Sequence, residues 1–266
     1  MNIISPRQQE ILTLARAQGR VSVDDLASRF DVSPQTIRKD LNDLCEQRVL
    51  SRIHGGAVVA SSVENLSYEA RRFLSQEEKR AIGRAAAAVI PNNASLFINI
   101  GTTTEEVARA LHDHEGLLVI TNNLHVATLL YPHPKIEVIV AGGPVRRSDG
   151  GVVGSAAVDL IRQFKVDYAV IGASAIDPDG ALLDFDYREV RVSQAIIENA
   201  RKVMLVADKE KLNRTAPVRI GHLQDVNTFV TDSLPSKPLR NLCEKEGIAV
   251  VETDMEPGSA PVQGFA

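Results

Sequence analysis

From residue 75 onward the chain repeats one pattern: a short apolar run, a turn, then a stretch with apolar residues at helical spacing. Seven runs read as strands, at 96–100, 117–121, 136–141, 168–172, 203–207, 228–231 and 249–252. Runs with little polar alternation suit strands buried on both faces, and helices between them supply the crossovers of a parallel sheet. The pattern predicts a mostly parallel, doubly wound α/β domain. Hydrophobic residues make up 44% of the chain and aromatics 4%, with no Trp, as an aliphatic α/β core requires.

The first sixty residues follow a different plan. Apolar positions Ile11, Leu12, Leu14 and Ala15 make a helical stripe within 7–18. Val23, Leu26, Ala27 and Phe30 make a second over 23–30, and Asp31-Val32-Ser33 breaks it. Ser33-Pro34 restarts a helix, with Ser as N-cap and Pro at the first helical position. Two β-prone stretches around Gly55-Gly56, within 49–59, read as a small hairpin. The expected organisation is a helical module with a hairpin over 1–59, a linker or connecting helix over 60–74, an α/β domain over 75–253 and a disordered tail over 254–266. Ser75 and Glu78 have capping-box spacing at the start of the α/β domain.

No apolar run is long enough to cross a membrane, and MNIISPRQQE lacks a basic-then-apolar signal pattern. Cys45 and Cys243 are the only cysteines and are too few for a disulfide framework. A reducing, cytoplasmic location is the expectation. The net charge is −4, so the whole chain does not advertise nucleic-acid binding. Its basic residues are nonetheless placed with purpose: Arg38, Lys39, Arg48 and Arg52 fall within fifteen positions.

Two short helices, a tight turn and a hairpin are the layout of a winged helix-turn-helix. Ile37, Leu41 and Leu44 give the third helix its buried side. Gln35, Thr36, Arg38 and Lys39 lie on its first turns, the part that enters a major groove. Gln pairs with adenine and Arg with guanine, while Lys and Thr suit phosphate oxygens. Ser33 sits at the helix start, where phosphates also approach. Arg48, Arg52 and His54 lie on or beside the wing. The partner this predicts is double-stranded DNA. Paired half-sites predict self-association as a dimer or larger assembly.

A second constellation begins at LFINIGTTTEE. A strand, Gly101 and a helix start with Thr102, Thr103 and Thr104 make an anion site. Other strand ends add Asn122, Asn123, Gly142, Gly143 and Lys211, the last a cation for a phosphate. Asp184 and Glu189 can accept hydroxyl hydrogens. Asp186 reads equally as a ligand group or a helix cap. Glu105 and Glu106 suit a helix start but repel a phosphate unless turned away. No G-x-G-x-x-G or P-loop is present, so neither a dinucleotide nor an NTP cofactor is expected. His112 and His114, two apart, do not share a helix face, and no metal is expected.

Ser33-Pro34-Gln35-Thr36-Ile37-Arg38-Lys39-Asp40-Leu41, with Arg7 and Ile11 before it and Arg52-x-His54-Gly55-Gly56-Ala57 after it, resembles the DeoR family of bacterial transcriptional repressors. Ile100-Gly101-Thr102-Thr103, Thr121-Asn122-Asn123, Ala141-Gly142-Gly143, Gly150-Gly151-x-x-Gly154 and Asp208-x-x-Lys211 resemble that family's sensor domain, which is similar to ribose-5-phosphate isomerase. The resemblance spans about 5–252. It implies that the third helix reads an operator, that Asp40 is structural, and that a phosphorylated small molecule is the effector. Ser33-Pro34-Gln35-Thr36-Ile37-Arg38, Asn99-Ile100-Gly101-Thr102-Thr103, Leu183-Asp184-Phe185-Asp186-Tyr187-x-Glu189-Val190-Arg191 and Ala195-Ile196-Ile197-Glu198-Asn199 resemble family members whose effector is sn-glycerol 3-phosphate, with fructose or deoxyribose phosphates as alternatives and a tetramer as well as a dimer in view.

The isomerase likeness raises the alternative of a sugar-phosphate isomerase. That enzyme carries an Asp-Gly-Ala-Asp stretch, which aligns with Ile171-Gly172-Ala173-Ser174, where both acids are missing. Glu189 falls near its general base. One carboxylate without partners is poorly equipped to move a proton beside a carbonyl, so no catalytic residue and no enzyme activity are expected.

Overall fold

The computed structural model describes residues 5–18, 20–46, 50–53, 55–59, 65 and 68–253. Arg48, His54 and the tail expected over 254–266 lie outside the described residues. The chain divides into two compact units, Met1–Ser75 and Gln76–Ala266.

The first unit runs α1 (Pro6–Gln18), β1 (Arg20–Ser22), α2 (Val23–Phe30), α3 (Pro34–Glu46), β2 (Leu50–Ile53), β3 (Gly56–Val59) and α4 (Tyr68–Phe73). Ile11 and Ala15 of α1, Leu26 of α2, and Ile37, Leu41 and Leu44 of α3 close one core with Leu50 and Ala57 of the hairpin. Ser22 caps α2, and Asp31 ends it in the left-handed region at φ 51°. Ser33 Oγ accepts from Thr36 N at 3.2 Å, the N-cap bond that Ser33-Pro34 predicted. β2 and β3 pair antiparallel, and β1 adds a third strand against β3. Three residues between two helices are too short to show a period, so β1 was not legible in the sequence. At Gly56 a Cβ would lie 2.0 Å from Val21 O, so this close approach of β1 and β3 requires glycine.

Arg7 Nε donates to Asp40 Oδ2 at 2.6 Å, and Gln8 Nε2 to Asp40 Oδ1 at 3.4 Å. Asp40 is buried, and a buried carboxylate needs such partners. The pair ties the third helix to the first. Within the stretch expected as a linker, α4 is helical, while 60–64 and 66–67 lie outside the described residues.

The second unit runs α5 (Gln76–Val89), β4 (Ser95–Ile98), α6 (Thr102–Ala110), β5 (Leu117–Thr121), α7 (Leu124–Leu130), β6 (Ile136–Val140), α8 (Ser155–Ile161), β7 (Val166–Ile171), β8 (Ala175–Ile176), β9 (Ala181–Asp184), α9 (Tyr187–Glu198), β10 (Ala200–Val206), β11 (Val218–His222), β12 (Thr228–Thr231), α10 (Lys237–Glu246) and β13 (Ala249–Glu252). Seven strands form one sheet in the order β13-β12-β10-β7-β4-β5-β6. Every neighbouring pair in it is parallel. These are the seven runs predicted as strands.

Successive strand residues face opposite sides. Leu96 and Ile98 meet Ile82 of α5, Val107 of α6 and Val126 of α7 in one core. Phe97 joins Ala157 of α8, Val192 of α9 and Leu239 of α10 in the other. A second, antiparallel sheet of order β11-β9-β8 was not predicted. Its strands are two to five residues long, too short for a reliable alternation. The capping-box expectation is also corrected: Ser75 holds φ 49°, outside the extended region that a capping serine occupies.

From β4 the chain first builds β5 and β6 on one side, then returns to lay β7, β10, β12 and β13 on the other. The direction of winding therefore reverses between β4 and β7. In open α/β sheets this reversal opens a crevice outside the carboxyl ends of the two strands.

Candidate functional site

In the first unit, α3 turns Ile37, Asp40, Leu41 and Leu44 inward. Gln35, Arg38 and Lys39 are exposed on its first turns, at the three- and four-residue spacing that shares one helix face. Thr36 is half-buried, and its hydroxyl shares a 2.9 Å hydrogen bond with Ser33 Oγ. Arg52 donates from Nη1 to Gly56 O at 3.2 Å across the hairpin, so this wing arginine also braces the wing.

In the second unit, α6 begins at the carboxyl end of β4. Its N-cap, Gly101, provides no side-chain hydrogen bond. Gly101 holds φ 155° and ψ 146° there, and a Cβ would meet Thr104 Oγ1 at 3.2 Å. The first N–H groups of a helix lack intrahelical partners and attract anions. The point a Cβ would occupy on Gly172, just past β7, lies 3.8 Å from Thr104 Cγ2 and 4.0 Å from Ile100 O. The α6 start thus sits at the reversal between β4 and β7.

The three threonines differ in role. Thr104 is fully buried, and its hydroxyl donates toward Asn99 O and Gly101 O at 2.7 and 2.8 Å. It holds the turn together. Thr102 and Thr103 are buried on the first turn. Glu105 Oε1 accepts from Asn123 Nδ2 at 3.3 Å, and Glu106 pairs with Arg109 at 3.4 Å. Asn123 also caps α7 by accepting from His125 N and Val126 N, so Glu105 and Asn123 join two helix starts. Asn122 Nδ2 donates to Val152 O at 3.1 Å. Asn122 Oδ1 is buried with no hydrogen-bond partner among the described residues.

Sequence reasoning missed Arg146. Its Nε and Nη2 grip Asp149 Oδ1 and Oδ2 at 2.8 and 2.7 Å. Nη1 donates to Asp186 Oδ2 at 3.0 Å, and Nη2 donates to Glu189 Oε2. One guanidinium therefore joins the loop after β6 to the start of α9. Burial lowers the basicity of this guanidinium, but its bonds and charge pairing with Asp149 and Glu189 outweigh that and hold its pKa above the ordinary value. Burial, with the neighbouring Asp184 and Asp149, pushes the Glu189 carboxyl up to about 8 against the pull of Arg146. Asp186 is held well below the usual carboxylate range, first by its hydrogen bond from Arg188. In sequence, Arg146-Arg147-Ser148-Asp149 looks like any charged loop, so no local signal singled it out.

Asp186 also caps α9, where its side chain accepts from Arg188 N. Asp184 Oδ2 accepts from Ser174 Oγ at 2.8 Å, and its Oδ1 accepts from Phe185 N at 2.6 Å. Asp184 lies near enough to Glu189 to raise its pKa, and Glu189 is bonded to Arg146. Lys211 is buried on a 3-10 turn, Lys209–Asn213, that follows β10 and is capped by Asp208. Gly142 and Gly143 are exposed beyond the edge strand β6, and Gly143 lies against Val153 and Ala157 rather than against β4. Both cysteines are free. No helix among the described residues is long and apolar enough to cross a membrane, and no group of three or more His, Cys, Asp or Glu side chains there could hold a metal ion.

A helix-turn-helix module with a wing, together with an α/β unit whose sheet reverses at the glycine-led start of α6, defines a two-module regulator. One module binds nucleic acid and the other senses a small molecule. Family models match both: the DeoR-like helix-turn-helix domain over residues 7–63 and the DeoR C terminal sensor domain over residues 74–233. The chain belongs to the DeoR family and is a DeoR-type transcriptional repressor. It is 48% identical to the glycerol-3-phosphate regulon repressor of Escherichia coli (strain K12), covering 86% of this chain and 91% of that one. It is 42% identical to the repressor CsqR of the same organism, covering 93% and 95%. Among solved structures it is similar to ribose 5-phosphate isomerase A from Methanocaldococcus jannaschii, at 14% identity and TM-score 0.39 over 52% of this chain and 55% of that one.

Proposed function

We propose that this repressor binds sn-glycerol 3-phosphate at the reversal between β4 and β7 and then leaves its operator. The observation that carries this is the helix start at Gly101, an N-cap residue with no side chain of its own to cap the helix, in a chain 48% identical to repressors named for the glycerol-3-phosphate regulon. The amides of Gly101, Thr102 and Thr103 take the phosphate, with Lys211 as the cation. Asn122, Asp184 and Glu189 accept from the hydroxyls. Thr104 and Asn123 hold the frame, and Gly142 and Gly143 let the neighbouring loop approach.

On the DNA side, Gln35 and Arg38 read base edges. Ser33, Thr36 and Lys39 take phosphates, and Arg48, Arg52 and His54 place the wing on the duplex. The division at 59 and 75 separates these tasks. The α/β unit assembles the cytoplasmic repressor as a dimer or tetramer. Ligand releases DNA because it binds the non-operator state better, by a coupling on the order of 1–3 kcal/mol.

The protein is not an enzyme in this reading. Glu189 is bound to Arg146 and Asp184 to Ser174, and glycerol 3-phosphate has no carbonyl to isomerise. The test is operator release measured by fluorescence anisotropy against glycerol, fructose and deoxyribose phosphates. Release by glycerol 3-phosphate at the lowest concentration is expected; release only by a sugar phosphate overturns the effector. Turnover of ribose 5-phosphate by the purified protein, lost in Glu189→Gln, overturns the non-enzyme reading.

A further inference from the structure

The crevice has one end that suits an anion and another that does not. The α6 start carries the positive end of a helix dipole. Beside it stands the Arg146 cluster, where one half-buried guanidinium faces Asp149, Asp186 and Glu189, and Asp186 has a second, exposed guanidinium partner in Arg188. The two are close: the point a Cβ would occupy on Gly151 lies 2.4 Å from Ile100 Cδ1 and 3.3 Å from Asp149 Oδ1. Ile100 directly precedes Gly101. On the same side, Asn99 Nδ2 donates to Ser193 Oγ of α9 at 2.7 Å. A three-carbon phosphate with its phosphate on α6 extends its other end toward this cluster.

Asn122 supplies an independent pointer to a ligand. It is 1% exposed, and its amide nitrogen is fixed on Val152 O beside Gly151. Its Oδ1 has no partner among the described residues. An amide oxygen can only accept, and a buried acceptor left unpaired is costly. A hydrogen-bond donor completes it, and a ligand hydroxyl is one. The carboxyl groups of the Arg146 cluster likewise accept, and those that are ionised repel further negative charge.

Resting on the effector reading above, we propose that this cluster is a charge filter on the ligand's second end. The site takes phosphomonoesters whose other end offers neutral hydroxyls to Asn122 Oδ1 and the adjoining carboxylates. It rejects those carrying a carboxylate or a second phosphate there. Glu189 reports the same field from within: with Arg146 touching it, its carboxyl is still pushed up by burial, Asp184 and Asp149. An added anion meets the same opposition.

The experiment is operator release by matched ligands differing only in the charge of that end: glycerol 3-phosphate against 3-phosphoglycerate, and fructose 6-phosphate against fructose 1,6-bisphosphate. Rejection of the more anionic member by about 100-fold or more is expected, since a mispaired buried charge costs several kcal/mol. Asp184→Asn, which removes charge but keeps an acceptor, narrows the gap about tenfold; Asp186→Asn serves if that variant does not fold. Equal release by both members of the releasing pair overturns the filter and leaves the effector reading intact. Release by the fructose phosphate alone overturns the effector, while rejection of its bisphosphate still upholds the filter. An unchanged gap in folded Asp184→Asn and Asp186→Asn overturns the assignment to these carboxylates.

Discussion

Two helices in this molecule begin where a phosphate is expected, and they begin differently. α3 starts with Ser33, whose hydroxyl takes the orphan amide of Thr36 and meets the Thr36 hydroxyl. Its first turn is largely exposed. α6 starts with Gly101, which itself supplies no side-chain cap, and buries its first turn at the ends of parallel strands. A helix that lies on a duplex needs only loose proximity to phosphates, because side chains such as Arg38 carry the recognition. A helix that holds a small anion must leave its amides open and surround them with protein. The lesson is that capping and burial together, not the helix dipole alone, separate a reading helix from a gripping one.

The most damaging way to break this contrast is Gly101→Val. A side chain there is strained at φ 155° and crowds Thr104, closing the amides. Effector response should fall about 100-fold or more while operator affinity stays within twofold. Anisotropy titrations with and without ligand check this; equal loss of both would show that the two starts are not separate sites. Arg38→Ala is the converse. It should weaken operator binding about ten- to a hundredfold, as loss of a bidentate base contact does, with ligand affinity from calorimetry unchanged.

Much of this contrast was readable in the sequence. Ser33-Pro34 announced the α3 cap, and the seven strand runs were located. Gly101 marked the turn because few other residues tolerate it. Strand order was not readable, since parallel neighbours are set by crossovers rather than local pattern. The reversal between β4 and β7 therefore appears only in the structure. Arg146 was hidden for the same reason: Asp149 is three residues away, but Asp186 and Glu189 are forty and forty-three. Asp40 was expected to be structural, but its partner Arg7, thirty-three positions away, was named only as part of the family motif. The paired roles of Glu105 and Asn123 depend on two helix starts meeting, which no spacing rule supplies.

A smaller effect sharpens the comparison through pH. The Glu189 carboxyl is raised in the folded protein from 4.5 to about 8. Between those values the folded state binds a proton that the unfolded chain does not, so stability falls as pH rises through the window. Its contribution is complete below 4.5 and gone above about 8. The slope should approach but not exceed ~1.4 kcal/mol per pH unit. Asp186 has the opposite sign, but its depressed pKa acts below the ordinary carboxylate range and leaves this window alone. Glu189→Gln should flatten the denaturant-derived stability profile from pH 5 to 8. An unchanged slope would place the proton elsewhere.

The smallest expected effect tests the contrast most directly. Ser33→Gly gives α3 the same N-cap residue as α6. Glycine at an N-cap costs only a few tenths of a kcal/mol relative to serine, whereas Ser33→Ala costs about 1 kcal/mol. Thermal unfolding should therefore order the variants wild type, Ser33→Gly, Ser33→Ala, with the glycine variant close to wild type. The opened amides of α3 remain in water, where the dipole is screened within a turn. Inorganic phosphate should then raise the melting temperature through the second unit by the same amount in wild type and Ser33→Gly, and by little in Gly101→Val. A new phosphate-dependent shift in Ser33→Gly, as large as the one lost in Gly101→Val, would mean that an open helix start suffices. The enclosing strand ends of α6 would then contribute nothing to the grip.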